Sequence, residues 1–216
     1  VTKAEFEANT KELPPALFAH NTQTDVTQTV HAQNAAANGV LGRIAGIING
    51  QENDNIVNSY SLAGTPKVLK GSPGLSSPAD ILTGGGLSGL NSAAASIELD
   101  IRAIHNQSVT SMFAETYSEA MRFTFERIDV LGEALDESTL QNGECAAYVQ
   151  NSDGDGVYLA HQFEQIARII GLRDSLQSTR DVFYVSHGGY DTHSDNGPEL
   201  IRTMSEVNGA LSCFTA

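Results

Sequence analysis

Asp191 and His193 stand one residue apart at the end of the run Val182-Phe183-Tyr184-Val185-Ser186-His187-Gly188-Gly189-Tyr190-Asp191-Thr192-His193. A carboxylate and an imidazole at that spacing can both reach one divalent ion, and zinc, manganese or calcium would accept such donors. Four residues of strand character lead into Gly188-Gly189, where the backbone can turn tightly and let a ligand approach. In α/β proteins, ligands gather just beyond the carboxyl ends of strands. Ser186, His187 and Asp195 share the loop and are further candidates to bind the ion or to orient the groups that do. The alternative is a polar turn in which Asp191 caps the chain and His193 lies in solvent. For His187, directly before Gly188, the other reading is a satisfied histidine ending the strand.

Three other stretches carry chemical suggestions. Asn151-Ser152-Asp153-Gly154-Asp155-Gly156 has the alternating oxygen donors and the glycine of the first half of a calcium loop, but its twelfth position is Gln162, not the bidentate Glu. A solvated acidic turn explains the same residues. Gly84-Gly85-Gly86-Leu87-Ser88-Gly89 matches a dinucleotide fingerprint in letters, yet no convincing strand precedes it, so a flexible loop is expected there. No Gly-x-Ser-x-Gly nucleophile elbow occurs. His20 sits in a polar cluster after an apolar pair and says little alone.

The elements that must position these residues follow from periodicity. Residues 1–35 are polar, broken by Pro14-Pro15, and read as an extended, loop-rich leading segment; residues 36–216 read as the α/β domain. Val40, Ile44, Ile47 and Ile48 give a short helix ended by Asn49-Gly50, and Tyr60 to Ala63 a short strand. The Gly-, Pro- and Ser-rich stretch 64–91 reads as an irregular connection. Helices follow on Ile97/Ile101/Ile104, on Phe113/Tyr117/Met121/Thr124/Ile128/Leu131/Leu135, and on Leu159/Phe163/Ile166/Ile170 closed by Gly171. A strand over Val182–Ser186 and a last helix over Leu200, Met204, Val207 and Leu211, with Pro198 in its first turn, complete an α/β pattern.

Composition narrows the function classes. The 216 residues carry 12 Lys and Arg against 26 Asp and Glu, a net charge of −14, which argues against nucleic acid or an anionic membrane as partner. No apolar run approaches the roughly 20 residues of a membrane span. Cys145 and Cys213 are the two cysteines; one bridge and two unpaired core thiols fit the sequence equally. The chain begins at Val1 without Met and stops inside an amphipathic run, so a piece of a longer protein is expected.

The run Gly188-Gly189-Tyr190-Asp191-Thr192-His193, preceded by Phe183-Tyr184-Val185, resembles the Gly-Gly-Trp/Phe-Asp-Thr-His signature of domain-of-unknown-function family 1501, a relative of the sulfatases and alkaline phosphatases. Two further stretches agree in order: Leu13-Pro14-Pro15-Ala16-Leu17-Phe18-Ala19-His20-Asn21-Thr22-Gln23 is similar to the family's Leu-Phe-Ser-His-Asn-Asp-Gln segment, and Gln162 to Ile170 to its Gln-Leu-x-x-Val-Ala-Arg-Leu-Ile helix. The resemblance implies part of an alkaline-phosphatase-like sandwich, a central, mostly parallel sheet flanked by helices. It implies Asp191 and His193 as metal ligands, a small anionic phosphate or sulfate ester as substrate, and a secreted or periplasmic location. The family's earlier Gly-Gly-Asn-Asp-type strand end and its later Glu-Phe-Gly-Arg and Asp-His-Gly segments do not occur in these 216 residues. The expectation is therefore a metal-dependent, hydrolase-like chain holding about one third of the site and no assignable nucleophile, with missing segments or a partner chain completing the domain. The alternative is a non-catalytic extracellular structural or binding protein that keeps the fold.

Overall fold

A computed structural model describes residues 1–14, 16, 18–34, 36–51, 57–72, 80–83, 86–87, 97–108, 110–137 and 155–215. The chain is mixed α/β and divides into two compact units. The first comprises Val1–Ala79 and Ser178–Tyr184, the second Asp80–Gln177 and Val185–Ala216. Residues 1–35 fall in the same unit as the next forty-odd residues.

In the first unit, α1 (Lys3–Glu7), α2 (His20–Thr29) and α3 (Val40–Asn49) accompany a parallel pair, β1 (Val57–Ser61) and β4 (Arg180–Tyr184). Their register sets Val57 against Arg180 and Ser61 against Tyr184. Tyr60 and Phe183, opposite each other, stack with ring centroids 5.3 Å apart. Every residue of β1 is buried, as in a strand covered on both faces. A parallel pair over such a sequence separation needs a crossover, which is the α/β pattern expected from sequence. Both strands begin earlier than periodicity suggested.

Two expectations for this unit fail for physical reasons. Residues 1–35 are not an extended lead: α1 opens with a Thr2/Glu5 capping box, and α2 is a ten-residue helix. The inward side of α2 is Thr22, Asp25, Val26 and Thr29, a helical spacing written almost entirely in polar residues, so hydropathy could not show it. Tertiary bonds hold it instead: Lys67 to Asp25 at 2.9 Å, the Val68 N–H to Gln28 Oε1 at 2.9 Å, and the Arg43 guanidinium to the Thr29 carbonyl at 2.6 Å. The helix α3 lies where expected, but with the other face inward: Gly42, Ala45 and Gly46 are buried, while Ile44 and Ile47 are exposed. The cause is close approach. A Cβ on Gly42 would lie 2.4 Å from the Lys70 carbonyl carbon, so only glycine lets the helix reach the backbone beyond the short 3-10 turn Lys67–Leu69.

In the second unit, β2 (Asp80–Thr83) and β3 (Gly86–Leu87) pair antiparallel, with Thr83 opposite Gly86. A strand therefore does precede the glycine run, and its Thr83 pairs antiparallel with Gly86, so Gly86-Leu87 is strand where a loop was expected and where a dinucleotide fingerprint would lead into a helix. The rest of the run, residues 84–85 and 88–89, lies outside the described residues. The helices are α4 (Glu98–His105), α5 (Met112–Glu137), α6 (Asp155–Gly171) and α7 (Asn196–Thr215). Arg102 fixes α4 on α5: its guanidinium forks onto Asp129 at 2.8 and 2.9 Å and covers the Phe125 ring at 4.3 Å. The inward face of α4 is thus Ile101, Arg102 and His105, whereas Ile97 and Ile104 are exposed. On α5, Leu131 and Leu135 are buried as expected, but Phe113 and Tyr117 face solvent and Ser118 and Phe125 take the inner stripe.

The helices α6 and α7 pack directly on each other. Leu159, Ala160 and Ala210 form the buried centre, with Phe163, Val185 and Val207 against it and Phe163 on Phe214 at 5.2 Å. Ala160 and Ala210, both fully buried, let the two backbones approach. This choice turns Thr203, Glu206, Val207, Ala210 and Cys213 inward and leaves Leu200, Met204 and Leu211 outside. Cys213 is disulfide-bonded; the chain's other cysteine, Cys145, lies outside the described residues. No helix among the described residues is long and apolar enough to cross a membrane.

Candidate metal-ligand loop

The loop joining Val185 to α7 carries every candidate from the signature run, and side chains from both flanking helices hold it. Its first anchor is Gln162 of α6, 3% exposed, whose amide grips the Ser186 backbone at both ends. The Ser186 N–H donates to Gln162 Oε1 at 2.9 Å, and Gln162 Nε2 donates to the Ser186 carbonyl at 2.8 Å. A primary amide reproduces the donor–acceptor pair of a neighbouring peptide, so Gln162 serves Ser186 as a missing strand partner would. Ser186 therefore enters the site through its backbone.

The second anchor is His187, whose side chain is only 7% exposed. Its Nε2 lies 3.1 Å from Glu206 Oε2 on α7, and its Nδ1 lies 3.1 Å from the Tyr190 hydroxyl. A carboxylate can only accept, so Nε2 carries a proton, and in the neutral ring Nδ1 accepts from the Tyr190 O–H. The two rings also meet edge to face at 5.5 Å. Glu206 is itself held, since its Oε1 accepts from Arg202, which also donates to Glu199 at 3.1 Å. The bond to Glu199, followed by the nearby Glu206 charge, raises the Arg202 pKa above its ordinary value. His187 thus ends the strand run as a satisfied histidine and does not face a ligand.

Between these anchors the backbone turns at Gly189, whose φ of +86° is strained for any residue with a Cβ. A tight turn follows, with the Thr192 N–H bonding the Tyr190 carbonyl at 3.1 Å. The Thr192 hydroxyl then bonds Asn196 Oδ1 at 2.7 Å, tying the loop to the first turn of α7. Asp195 precedes that helix with a φ of +51°, and its carbonyl accepts the Glu199 N–H at 3.2 Å, so it starts the helix through its backbone.

Asp191 and His193 project from this frame into solvent, 86% and 89% exposed, with His193 Nε2 3.5 Å from Asp191 Oδ2. Two donors about 2.0–2.1 Å from a tetrahedral ion stand about 3.3–3.4 Å apart. The separation matches two corners of one coordination shell and equally a direct imidazole–carboxylate contact. Among the described residues, no group of three or more His, Cys, Asp or Glu could hold a metal ion, so any further ligand to a cation at this pair would lie outside them.

Asn151 and Asp153 of the calcium-like stretch lie outside the described residues, and Asp155 is the first residue of α6. Gln162, its twelfth position, is committed to Ser186. His20 opens α2 in the first unit, where its carbonyl accepts from the Thr24 hydroxyl at 2.9 Å. Sequence reasoning missed Glu206 and Gln162 as supports. The apolar phase chosen for α7 put Leu200 and Met204 inward, which hid Glu206. Gln162 was weighed only as a failed calcium ligand. Compared with family models, with curated proteins and with solved structures, the chain matches none of them.

Proposed function

We propose that this chain is the ligand-bearing part of a metal-dependent, hydrolase-like protein of the alkaline phosphatase and sulfatase kind, with Asp191 and His193 as two of the ligands to a divalent cation. One observation carries the reading: Asp191 and His193 stand 3.5 Å apart, solvent-facing, on a loop held at both ends. The parallel β1–β4 pair and the helices suit part of the three-layer sandwich that the signature implies. The cation would be zinc, manganese or calcium, with further ligands from outside the described residues.

A bound cation would supply charge to stabilise the developing negative charge on a phosphate or sulfate ester and would orient an attacking oxygen. The chain's own part would be to present a carboxylate and an imidazole together from one loop. Gly189 gives the turn, and Gln162 and Thr192 resist its opening. The disulfide at Cys213 supports an oxidising, hence secreted or periplasmic, setting.

Equilibrium dialysis against zinc, manganese and calcium in turn tests the proposal. One equivalent bound to the chain and lost in both Asp191→Ala and His193→Ala is the expected result. Equal uptake by all three proteins, or none by any, overturns it and leaves the non-catalytic extracellular scaffold as the better account.

A further inference from the structure

We infer that Glu206 is a positioning residue for the Asp191–His193 pair, acting through His187 and Tyr190. The purpose of this arrangement rests on the metal reading above, but the arrangement is visible without it. Glu206 is 17% exposed on the inward face of α7, a place where an apolar residue would pack at no electrostatic cost. Its two oxygens are divided: Arg202 takes Oε1, and Oε2 aims at His187. The imidazole passes that fixed direction to the Tyr190 hydroxyl, and Tyr190 is the residue before Asp191. The Tyr190 carbonyl in turn accepts from Thr192, the residue between the two ligands. A continuous hydrogen-bonded chain therefore runs from a rigid helix to the backbone on which both donors stand. Without it, the flexible Gly188-Gly189 turn would be restrained only by the Gln162–Ser186 and Thr192–Asn196 bonds on either side. Groups that orient ligands in this way are worth about 10–100-fold in metal affinity.

The test uses Glu206→Leu, Glu206→Gln and Tyr190→Phe in the whole chain, reading zinc affinity by equilibrium dialysis and amide exchange without metal. Glu206→Leu should speed exchange of the Thr192 amide about 10-fold and weaken zinc by about 10-fold or more, with the α6 amides around Ile166 unchanged. Glu206→Gln should restore most of both, because its carbonyl still accepts from His187 Nε2; Tyr190→Phe should reproduce the Leu variant. The inference is overturned if Glu206→Leu leaves Thr192 exchange and zinc affinity at wild-type values. It is also overturned if exchange rises equally through α6, which a merely structural role would give. If wild type binds no zinc while Thr192 exchange still responds to Glu206→Leu and recovers in Glu206→Gln, the metal reading fails and the positioning chain stands.

Discussion

Replacing Gln162 by Leu removes the amide grip on Ser186 while keeping the side chain's approximate volume. Two neutral hydrogen bonds are lost, each worth about 0.5–1.5 kcal/mol, so the gross cost is about 1–3 kcal/mol. Ser186 is exposed, so water can partly replace the lost partner, and the added apolar burial at a position only 3% exposed offsets a little more. The expected net loss is about 1–2 kcal/mol, or roughly 2–8 °C in Tm for a chain of this size. Thermal unfolding by circular dichroism reads the loss, and the Ser186 amide should exchange faster. Gln162→Glu sharpens the test. The new carboxylate still accepts from the Ser186 N–H but sets an oxygen against the Ser186 carbonyl, so only its protonated form can donate there. Its folded-state pKa is raised above the unfolded value of about 4.3, so its stabilisation is fully present below that pH and disappears as pH rises through the folded value. The gap between this variant and wild type should therefore narrow as pH falls towards 4. Wild-type Tm and wild-type Ser186 exchange in Gln162→Leu would refute the reasoning, and so would a gap indifferent to pH.

Other outcomes follow from the same contacts. Gly42→Ala should cost about 1–3 kcal/mol in denaturant unfolding, because its Cβ would lie 2.4 Å from backbone that cannot yield as a side chain can; unchanged stability would mean that α3 packs otherwise. Arg102→Met should lose about 1 kcal/mol, from the fork onto Asp129 and the contact with the Phe125 ring, whose partial exposure limits their value; Asp129→Asn should lose less. Reduction of the Cys213 disulfide should lower stability by about 2–4 kcal/mol, and Cys213→Ser should be insensitive to reductant. The Glu5 carboxyl, bonded first by the Thr2 backbone N–H and then by Lys11, should titrate below the ordinary Glu range by NMR. Its contribution is present above the ordinary Glu value and disappears as pH falls through the lowered one.

Much of the element order was legible because Ile, Leu and Phe recur at helical spacing and the Val182 run reads as a strand. The mixed α/β class follows from that order. What periodicity could not supply was the phase of each helix. In α3, the face that packs is glycine and alanine, because close backbone approach outweighs the burial of Ile44 and Ile47. In α4, the Arg102 contacts with Asp129 and Phe125 outweigh the burial of Ile97 and Ile104. In α7, Ala210 against Ala160 sets the rotation and sends Leu200 and Met204 outward, and that same rotation brings Glu206 to His187. Asp191 and His193 were singled out as candidates by their spacing together with the signature resemblance. Their supports were not, since Gln162 and Glu206 are remote from the loop in sequence and signal nothing until two helices have packed. The helix α2 was hidden for a related reason: its inner face is threonine and aspartate, held by hydrogen bonds that no hydropathy pattern encodes.

The most direct test of the metal-ligand assignment is a zinc titration of the chain followed by imidazole nitrogen NMR. The account predicts a coordination shift at His193 Nε2, the nitrogen that faces Asp191, with His187 unmoved and the response abolished by Asp191→Ala. A His193 signal that ignores zinc, or one that shifts equally in Asp191→Ala, would contradict it.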